Sequence, residues 1–448
     1  MNRATSLPRS LRATGLALAL AIAGCGGGDA PPTSPAAATD LAAPSRIEPW
    51  TLPPTLPGSA SPSLAATPDG KLLLGWINSQ KGRRHIFQFS TFAPDWGRWM
   101  HAMTTVAVGN SLFVNWADVP HLAATPDGAL WAHWLQKSGE APYAYDVVLT
   151  RSRDGGANWA PPVLAHDDGT RTEHGFVSLW PQGADALGVA WLDGRQTAAA
   201  VQGQDGHDHE RDAGQGHGGG HAGEGAMTLR AAVFDAQLQP RAQAEIDAQV
   251  CDCCQTAVAL TARGPLLVYR GRREGEIRDI QATRFDGSAW STPQPVHDDG
   301  WMMPACPVNG PDVAADGEAV VVAWYTAAGG APEVRIAASA DAGGRFAAPV
   351  TLDRGEAVLG RVAVALDARQ AWILWQREEA GRQSLWLSRR SPDLAIEHER
   401  IEIAAPRGEG RATGFPQLAV VGGVAHVVWT DVVAGAPNLV GVRVVPAG

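Results

Sequence analysis

The sequence predicts an all-β fold, a β-propeller made of four-stranded antiparallel blades. Three observations support this prediction. A short repeat occurs as SLAATPDG at 63–70 and again as HLAATPDG at 121–128. Each copy places Asp-Gly between two apolar runs, which is a strong hairpin signal. An aromatic residue closes the second apolar run of every unit, at Trp76, Trp134, Trp191, Tyr269, Trp324, Trp375 and Trp429.

The spacing of these aromatic residues gives the number of blades. Successive intervals are 58, 57, 78, 55, 51 and 54 residues. Each hairpin is followed by a third strand, as at 146–150 and 334–338, and usually by a fourth, as at 161–164 and 349–352. Four antiparallel strands in such a unit are typical of a propeller blade. The sequence therefore predicts seven units over residues 47–448.

The two ends of this segment are predicted to meet. The last unit, which begins at Phe415, runs out after its third strand. Residues 47–52 can supply the missing fourth strand, and closing the ring removes open sheet edges. The long interval of 78 residues contains a Gly- and His-rich insertion at 203–225.

The composition excludes one class of partner. The formal net charge is -10, and the chain has no run of Lys or Arg. A nucleic-acid binder would carry a basic patch, so we expect no nucleic-acid partner. We expect a monomer.

Residues 1–24 resemble the signal peptide of a bacterial lipoprotein. Three Arg residues precede an apolar run at 16–22 that is too short to span a bilayer. The run ends in Ile-Ala-Gly-Cys, and the resemblance implies that Cys25 becomes the lipidated first residue. Gly26 after it implies the outer membrane, facing the periplasm or the cell surface, and residues 25–46 would be a flexible tether. An ordinary secretory signal with an incidental Cys is the alternative.

Two turns between third and fourth strands carry the same motif. They read SRDGGANW at 152–159 and SADAGGRF at 339–346. This pattern resembles the Asp box of the sialidase superfamily, which implies a β-propeller, with the six-bladed sialidase ring as the alternative to seven units. It also implies that the motif is structural, at Ser152, Asp154, Gly156, Trp159, Ser339, Asp341, Gly343 and Phe346.

The same resemblance implies a type of chemistry. Sialidases hold a carboxylate with three Arg, attack with a Tyr backed by Glu, and use Asp as the acid/base. On the face where fourth strands lead to the next first strands, we predict Asp118 as the acid/base and Tyr325 as the nucleophile. The predicted carboxylate grip is Arg195, Arg270 and Arg361. Further predicted binding residues are His121, Glu173, His174, Arg278 and Asn309. The alternative is that Asp and Arg at strand ends brace the channel.

Cysteine and histidine clusters suggest a second chemistry. Cys251, Cys253, Cys254 and Cys306 precede the first strands of units four and five. In an oxidising envelope we expect one disulfide that ties Cys306 to the cluster. The other two Cys would then pair, stay as thiols, or bind Zn or Cu. The insertion supplies further candidate metal ligands at His207, His209, His217 and His221.

Two functions follow from these patterns. The first is an envelope lipoprotein whose propeller recognises or hydrolyses glycans, as an exo-sialidase-like hydrolase in the strict case. The second is a non-catalytic binding or metal-handling propeller that uses the Cys cluster and the His-rich insertion.

Overall fold

The computed structural model describes residues 41, 43–80, 84–198 and 225–447. These residues form seven antiparallel sheets, and each sheet holds one of the seven repeating aromatic residues in its second strand. The chain is a seven-bladed β-propeller. The prediction of seven four-stranded blades is confirmed, and the six-bladed alternative is wrong. Among the described residues, no helix is long and apolar enough to cross a membrane.

Blades 1 to 4 follow one another along the chain. Blade 1 comprises Ser59–Ala66, Leu72–Gln80, Arg84–Ala93 and Arg98–Trp99, with Thr104–Gly109 as a fifth strand paired to the third. Blade 2 comprises His121–Ala124, Leu130–Lys137, Tyr145–Ser152 and Val163–Leu164. Blade 3 comprises His174–Gln182, Ala186–Asp193, Thr228–Phe234 and Pro240–Asp247. Blade 4 comprises Ala257–Thr261, Gly264–Arg270, Ile280–Arg284 and Gln294–Pro295.

Blades 5 to 7 complete the ring. Blade 5 comprises Asp312–Asp316, Ala319–Thr326, Glu333–Ser339 and Val350–Arg354. Blade 6 comprises Val358–Leu366, Ala371–Glu379, Arg382–Arg390 and Glu397–Ala404. Blade 7 comprises Gln417–Val421, Val424–Val433, Ala436–Val445 and, from the start of the ring, Arg46–Pro49. Short 3-10 turns lie at Pro94–Trp96, Arg195–Thr197 and Gly410–Thr413.

The ring closes as the sequence predicts, on slightly different residues. The strand Arg46–Pro49 pairs antiparallel with the last strand, from Arg46 opposite Val445 to Pro49 opposite Val442. The prediction extended this strand to residue 52. It ends earlier because the Trp50 side chain turns into the core, where it stacks on Trp99 with ring centroids 5.1 Å apart.

The core lies between blades. Each cluster of buried side chains joins two neighbouring sheets, such as blades 2 and 3 or blades 5 and 6. The repeating aromatic residue is buried in every blade, with exposure from 0% at Trp76 to 6% at Trp134. An aromatic side chain buries on the order of 150–250 Å², so this position supplies much of the contact that keeps adjacent blades together.

Carboxylates add a polar link between blades. The side chain of Asp299, which follows the fourth strand of blade 4, accepts a hydrogen bond from Trp324 Nε1 in blade 5 (2.7 Å). Asp353 at the end of blade 5 accepts one from Trp375 Nε1 in blade 6 (2.7 Å). These bonds satisfy indole N–H groups that burial would otherwise leave without a partner.

Candidate functional site

We use the name mouth face for the end of the ring at which the fourth strand of each blade leads to the first strand of the next blade. The connection 115–120, between blades 1 and 2, reaches across this face. The Ala117 carbonyl accepts a hydrogen bond from Gln255 Nε2, just before blade 4 (2.9 Å). Trp116 stacks on Phe415, just before blade 7, with ring centroids 5.6 Å apart. The segment therefore covers the mouth between blades 2, 4 and 7.

Side chains at the mouth also brace irregular backbone. In blades 1, 3 and 6 the pairing of the first two strands shifts register at a residue with positive φ: Ser61 (55°), Phe176 (51°) and Arg361 (50°). A bulge leaves backbone N–H groups outside the ladder. These N–H groups donate to Thr430 Oγ1, Asp118 Oδ2 and Asn309 Oδ1 of the adjacent blade.

Asp118 combines this brace with a place at the central cavity. The first strands of the blades surround a cavity of about 290 Å³, and Asp118 is among its lining residues. The residue is 4% exposed. Burial raises the pKa of Asp118 to about 7, against the hydrogen bond from the Phe176 N–H. An acid with a pKa near neutrality can both give and take a proton at that pH.

A Tyr–Glu pair lies beside Asp118. The Tyr145 hydroxyl donates to Glu173 Oε1 (2.6 Å), and a backbone bridge pairs the same two residues. Both Asp118 and Tyr145 pack on Gly175, where an added β-carbon would lie 2.1 Å from Asp118 Oδ2 and 3.1 Å from Tyr145 Cε2. The ring of Tyr145 stacks on Phe113 with centroids 4.0 Å apart. We call Asp118, Tyr145 and Glu173 the acid–tyrosine cluster.

The groups of this cluster shift one another's pKa. Burial raises the pKa of Glu173 to about 8, and the charges of Asp118 and Asp252 add to the rise, although the hydrogen bond from Tyr145 opposes it. Burial and the neighbouring carboxylates raise the pKa of Tyr145 well above its usual range. Paired carboxyls with separated, raised pKa values are typical of acid/base chemistry.

The three predicted grip arginines belong to separate networks. Arg195 binds both oxygens of Asp193 through Nε (2.7 Å) and Nη2 (2.8 Å). Arg270 donates to three carbonyls, those of Arg278, Asn309 and Tyr325. Arg361 donates to Gln376, Thr413 and the carbonyls of Gly410 and Gly414. Their fork-shaped donors hold loops and blades, and the carboxylate grip stays a prediction.

The other predicted residues at the mouth also lie in surroundings that differ from one to the next. Tyr325 is partly exposed, and its ring meets Trp301 edge-on with centroids 5.6 Å apart. No carboxylate accepts a bond from its hydroxyl among the hydrogen bonds of the described residues, so the Tyr–Glu pair lies at Tyr145. Asn309 Nδ2 donates to the Leu359 carbonyl (3.0 Å), which completes a brace. His121 faces the cavity, and burial lowers its pKa to about 4.

His174 lies in a buried charge network between blades 2 and 3. Its Nε2 is 3.2 Å from Asp168 Oδ2 and 3.7 Å from Asp193 Oδ1. Although burial opposes the charged form, Asp168, Asp193 and Asp146 raise the pKa of His174. Arg195 contributes a second positive charge, 3.3 Å from Asp168. The two positive charges therefore offset two of the three carboxylate charges.

Two features of this network bear on metal binding. Asp146, His166 and His174 offer ligand atoms within 4.8 Å of one another. The imidazoles of His166 and His174, however, are stacked with centroids 3.7 Å apart and an angle of 8° between planes. The nitrogen lone pairs of an imidazole lie in the plane of its ring, and two stacked parallel planes do not meet at one ion. The arrangement fits a charge network better than a metal centre.

The four cysteines of the described residues form two pairs. Cys253 and Cys306 are joined in a disulfide with Cα atoms 6.0 Å apart. Cys251 and Cys254 are buried free thiols whose Sγ atoms are 3.3 Å apart. The predicted metal ligands His207, His209, His217 and His221, and the predicted lipidation site Cys25, lie outside the described residues.

The two Asp-box segments have equivalent hydrogen bonds. Ser152 Oγ donates to Asp154 Oδ1 (2.8 Å) and accepts from the Gly156 N–H (2.9 Å). In the second box, Ser339, Asp341 and Gly343 repeat these bonds at 2.7 and 2.9 Å. Trp159 packs edge-on against Phe89 with centroids 5.9 Å apart, and Phe346 packs against the core between blades 4 and 5. Each box clasps a turn between the third and fourth strands.

Comparison with known proteins places this fold. No protein-family model matches the sequence, and no curated protein matches it either. The structure is similar to that of the phage phi92 endosialidase, with a TM-score of 0.50 and 9% identity over 91% of this chain and 70% of that one. The likeness concerns the β-propeller fold.

Two further structures are similar to this chain. The alpha-L-arabinanase of Penicillium chrysogenum, complexed with arabinobiose, has a TM-score of 0.45 and 14% identity over 90% of this chain and 98% of that one. The NanB sialidase of Streptococcus pneumoniae has a TM-score of 0.43 and 9% identity over 84% and 83%. At identities this low, the likeness concerns the fold alone, and the activity has to be argued from the residues of the site.

Tyr145 is a functional candidate that the sequence does not single out. It begins a third strand, whereas the predicted Tyr325 lies near the end of a second strand. Connections between second and third strands lie on the same face as those between fourth and first strands. Tyr145 and the predicted Glu173 therefore both map to the mouth face in the sequence, 28 residues apart.

Proposed function

We propose that the protein is a glycan-active propeller, and that the acid–tyrosine cluster carries its chemistry. The observation that carries the proposal is the hydrogen-bonded Tyr145–Glu173 pair beside the cavity-lining carboxyl of Asp118. The sialidase-type fold supports this direction, because the Asp-box resemblance implies a Tyr nucleophile backed by Glu and an Asp acid/base. In the strict case the reaction is exo-sialidase-like hydrolysis.

Each group has a role that its surroundings support. The Tyr145 hydroxyl would attack the anomeric carbon as its proton passes to the ionised form of Glu173, and the proton would return when the tyrosine oxygen leaves. Because burial raises the pKa of Glu173 to about 8, the fraction in this ionised form increases as pH rises through that value. Asp118 would protonate the departing glycosidic oxygen, and then take a proton from the water that releases the glycosyl–tyrosine intermediate. Its pKa near 7 suits both steps.

A substrate screen tests this proposal. The full chain is assayed with fluorogenic aryl glycosides, including an α-sialoside and an α-L-arabinofuranoside, and glycan binding is measured by calorimetry. We expect turnover of at least one glycoside, and a loss of about 100-fold or more in kcat for Tyr145→Phe and Glu173→Gln. If no glycoside is cleaved and no glycan binds, the proposal is wrong.

We further propose that the chain is a lipoprotein of the bacterial envelope, anchored in the outer membrane through Cys25. The signal-like segment that ends in Ile-Ala-Gly-Cys supports this. Metabolic labelling with an alkyne fatty acid should label the wild type and leave Cys25→Ser unlabelled, with the wild type in the outer-membrane fraction. Equal labelling of both proteins, or none in the wild type, would overturn it.

A further inference from the structure

The free thiols of Cys251 and Cys254 form a compact pair on the lead-in to blade 4. Their Sγ atoms are 3.3 Å apart, and the residues are 1% and 2% exposed. The neighbouring disulfide between Cys253 and Cys306 ties this turn to the lead-in of blade 5. The sulfurs of Cys251, Cys253 and Cys254 lie within 4.8 Å of one another. Only the first and last of these three can become thiolates, because Cys253 is in the disulfide.

Two buried arginines surround the pair with positive charge. Arg270 and Arg278, which are 2% and 3% exposed, act on both thiols. Arg270 uses its donors on backbone carbonyls. Arg278 donates through Nη2 to Glu276 (2.6 Å), while its Nε and Nη1 are buried without a hydrogen-bond partner. A buried guanidinium with unused donors is costly, so this site favours a negatively charged occupant.

We propose that Cys251 and Cys254 form a binding site for a soft monovalent cation, Cu(I). This inference is independent of the proposed glycan chemistry and goes beyond it. Thiolates select soft ions such as Cu(I), whereas a structural zinc site needs four ligands. Within the described residues, the ligand group around these cysteines contains sulfur alone.

The charge balance favours the same ion. Two thiolates and one Cu(I) carry a net charge of -1. Arg278 is paired with Glu276, so Arg270, which donates to backbone carbonyls, supplies the positive charge that can stabilise it. A Zn²⁺ ion with the same two thiolates would be neutral and would gain nothing from the guanidinium groups.

Binding requires little chemistry at the site. The two sulfurs already lie side by side, with the Cys251 thiol donating to Cys254 Sγ (3.3 Å). Both thiols would release their protons to solvent as the metal binds. The two sulfurs would separate to admit the ion, and the Arg278 donors would face the thiolates. The Cys253–Cys306 disulfide takes no part.

The test uses the full chain, purified without reductant or metal. Alkylation after denaturation should label Cys251 and Cys254, which are free thiols. Cys253 and Cys306 should stay unlabelled, because they are joined in the disulfide. Cu(I) is then supplied anaerobically as its bathocuproine disulfonate complex, and transfer is followed by the loss of that complex's absorbance. We expect one Cu(I) per chain, and an affinity lower by about tenfold or more in Cys251→Ser and in Cys254→Ser.

A matched control distinguishes Cu(I) binding at the thiol pair from Cu(I) binding by the histidines of the insertion. Replacing His207, His209, His217 and His221 by Ala should leave this Cu(I) affinity unchanged. Equal affinity in the wild type and both Ser variants would overturn the proposal, and so would the absence of alkylatable thiol at Cys251 and Cys254. Should the Ser variants fail to fold, X-ray absorption of the loaded wild type decides. A first shell of sulfur supports the site, and a first shell of nitrogen or oxygen overturns it.

Discussion

Replacing Asp118 by Asn should stabilise the protein above neutral pH, although it removes a charge from a hydrogen-bonded side chain. The pKa of Asp118 rises from 3.8 to about 7 on folding because the carboxyl is buried. The folded state thus binds more protons than the unfolded state between these pH values, and the free energy of unfolding falls as pH rises through them. At about 1.4 kcal/mol per pKa unit, the full loss is about 4 kcal/mol.

The Asn variant does not titrate, so it escapes this loss. Its side-chain oxygen can still accept the bond that the Phe176 N–H makes to Asp118 Oδ2 (2.8 Å). The stability of Asp118→Asn relative to the wild type should therefore increase by about 4 kcal/mol between pH 4 and pH 8. Urea unfolding at several pH values, followed by tryptophan fluorescence, measures this difference.

Asp312→Asn provides the matched control. Asp312 also lines the cavity and is bonded by the Val364 N–H (2.6 Å), and burial raises its pKa to about 6. Its relative gain should be smaller, about 3 kcal/mol. A difference between Asp118→Asn and the wild type that stays constant from pH 4 to pH 8 would refute the raised pKa, and with it the suitability of Asp118 as an acid at neutral pH.

Other parts of the fold give further predictions. Folding raises the pKa of His174, so the stabilisation from its charged form is complete below about pH 6.5 and is lost as pH rises through the folded pKa. His174→Gln should therefore lower the urea midpoint more at pH 5.5 than at pH 9, and an equal loss at both would contradict this. Gly156→Ala should cost about 1–3 kcal/mol, because φ is 91° and the new β-carbon would lie 2.4 Å from a neighbouring aromatic ring. Gly155→Ala (φ 69°, no atom within 4 Å) should lower the melting temperature less, and an equal loss would remove the steric argument. Asp299→Ala leaves the buried Trp324 N–H without its 2.7 Å acceptor and should cost about 1–3 kcal/mol in urea unfolding; a loss below about 0.5 kcal/mol would show that water replaces the carboxylate.

Local patterns in the sequence were sufficient for the blades. Asp-Gly turns and a repeating aromatic residue act within one hairpin, so seven units and the closing strand could be predicted. A longer pattern was also readable. Asp299 precedes Trp324 by 25 residues, and Asp353 precedes Trp375 by 22. This spacing places a carboxylate at the end of one blade beside the aromatic residue of the next.

The site was less predictable because it depends on contacts between blades. Arg361 carries the residue type of a carboxylate grip, yet the loop 410–414 supplies its acceptors from 49 to 53 positions away. Burial in this network lowers its pKa to about 10. Likewise, which tyrosine meets a glutamate was decided by the bridge between Tyr145 and Glu173. Residue type indicates which chemistry is available, and the packing of neighbouring blades decides which side chains meet.

The most direct measurement of the central claim compares two cavity carboxyls in one assay. Hydrolysis of the best aryl glycoside is measured at pH 7 for the wild type, Asp118→Asn and Asp312→Asn, all three checked for folding by their melting temperatures. We predict that Asp118→Asn lowers kcat/KM by about 100-fold or more, whereas Asp312→Asn, in blade 5 and outside the acid–tyrosine cluster, stays within about threefold of the wild type. Equal losses in both variants, or no loss in Asp118→Asn, would contradict a catalytic acid–tyrosine cluster at the mouth.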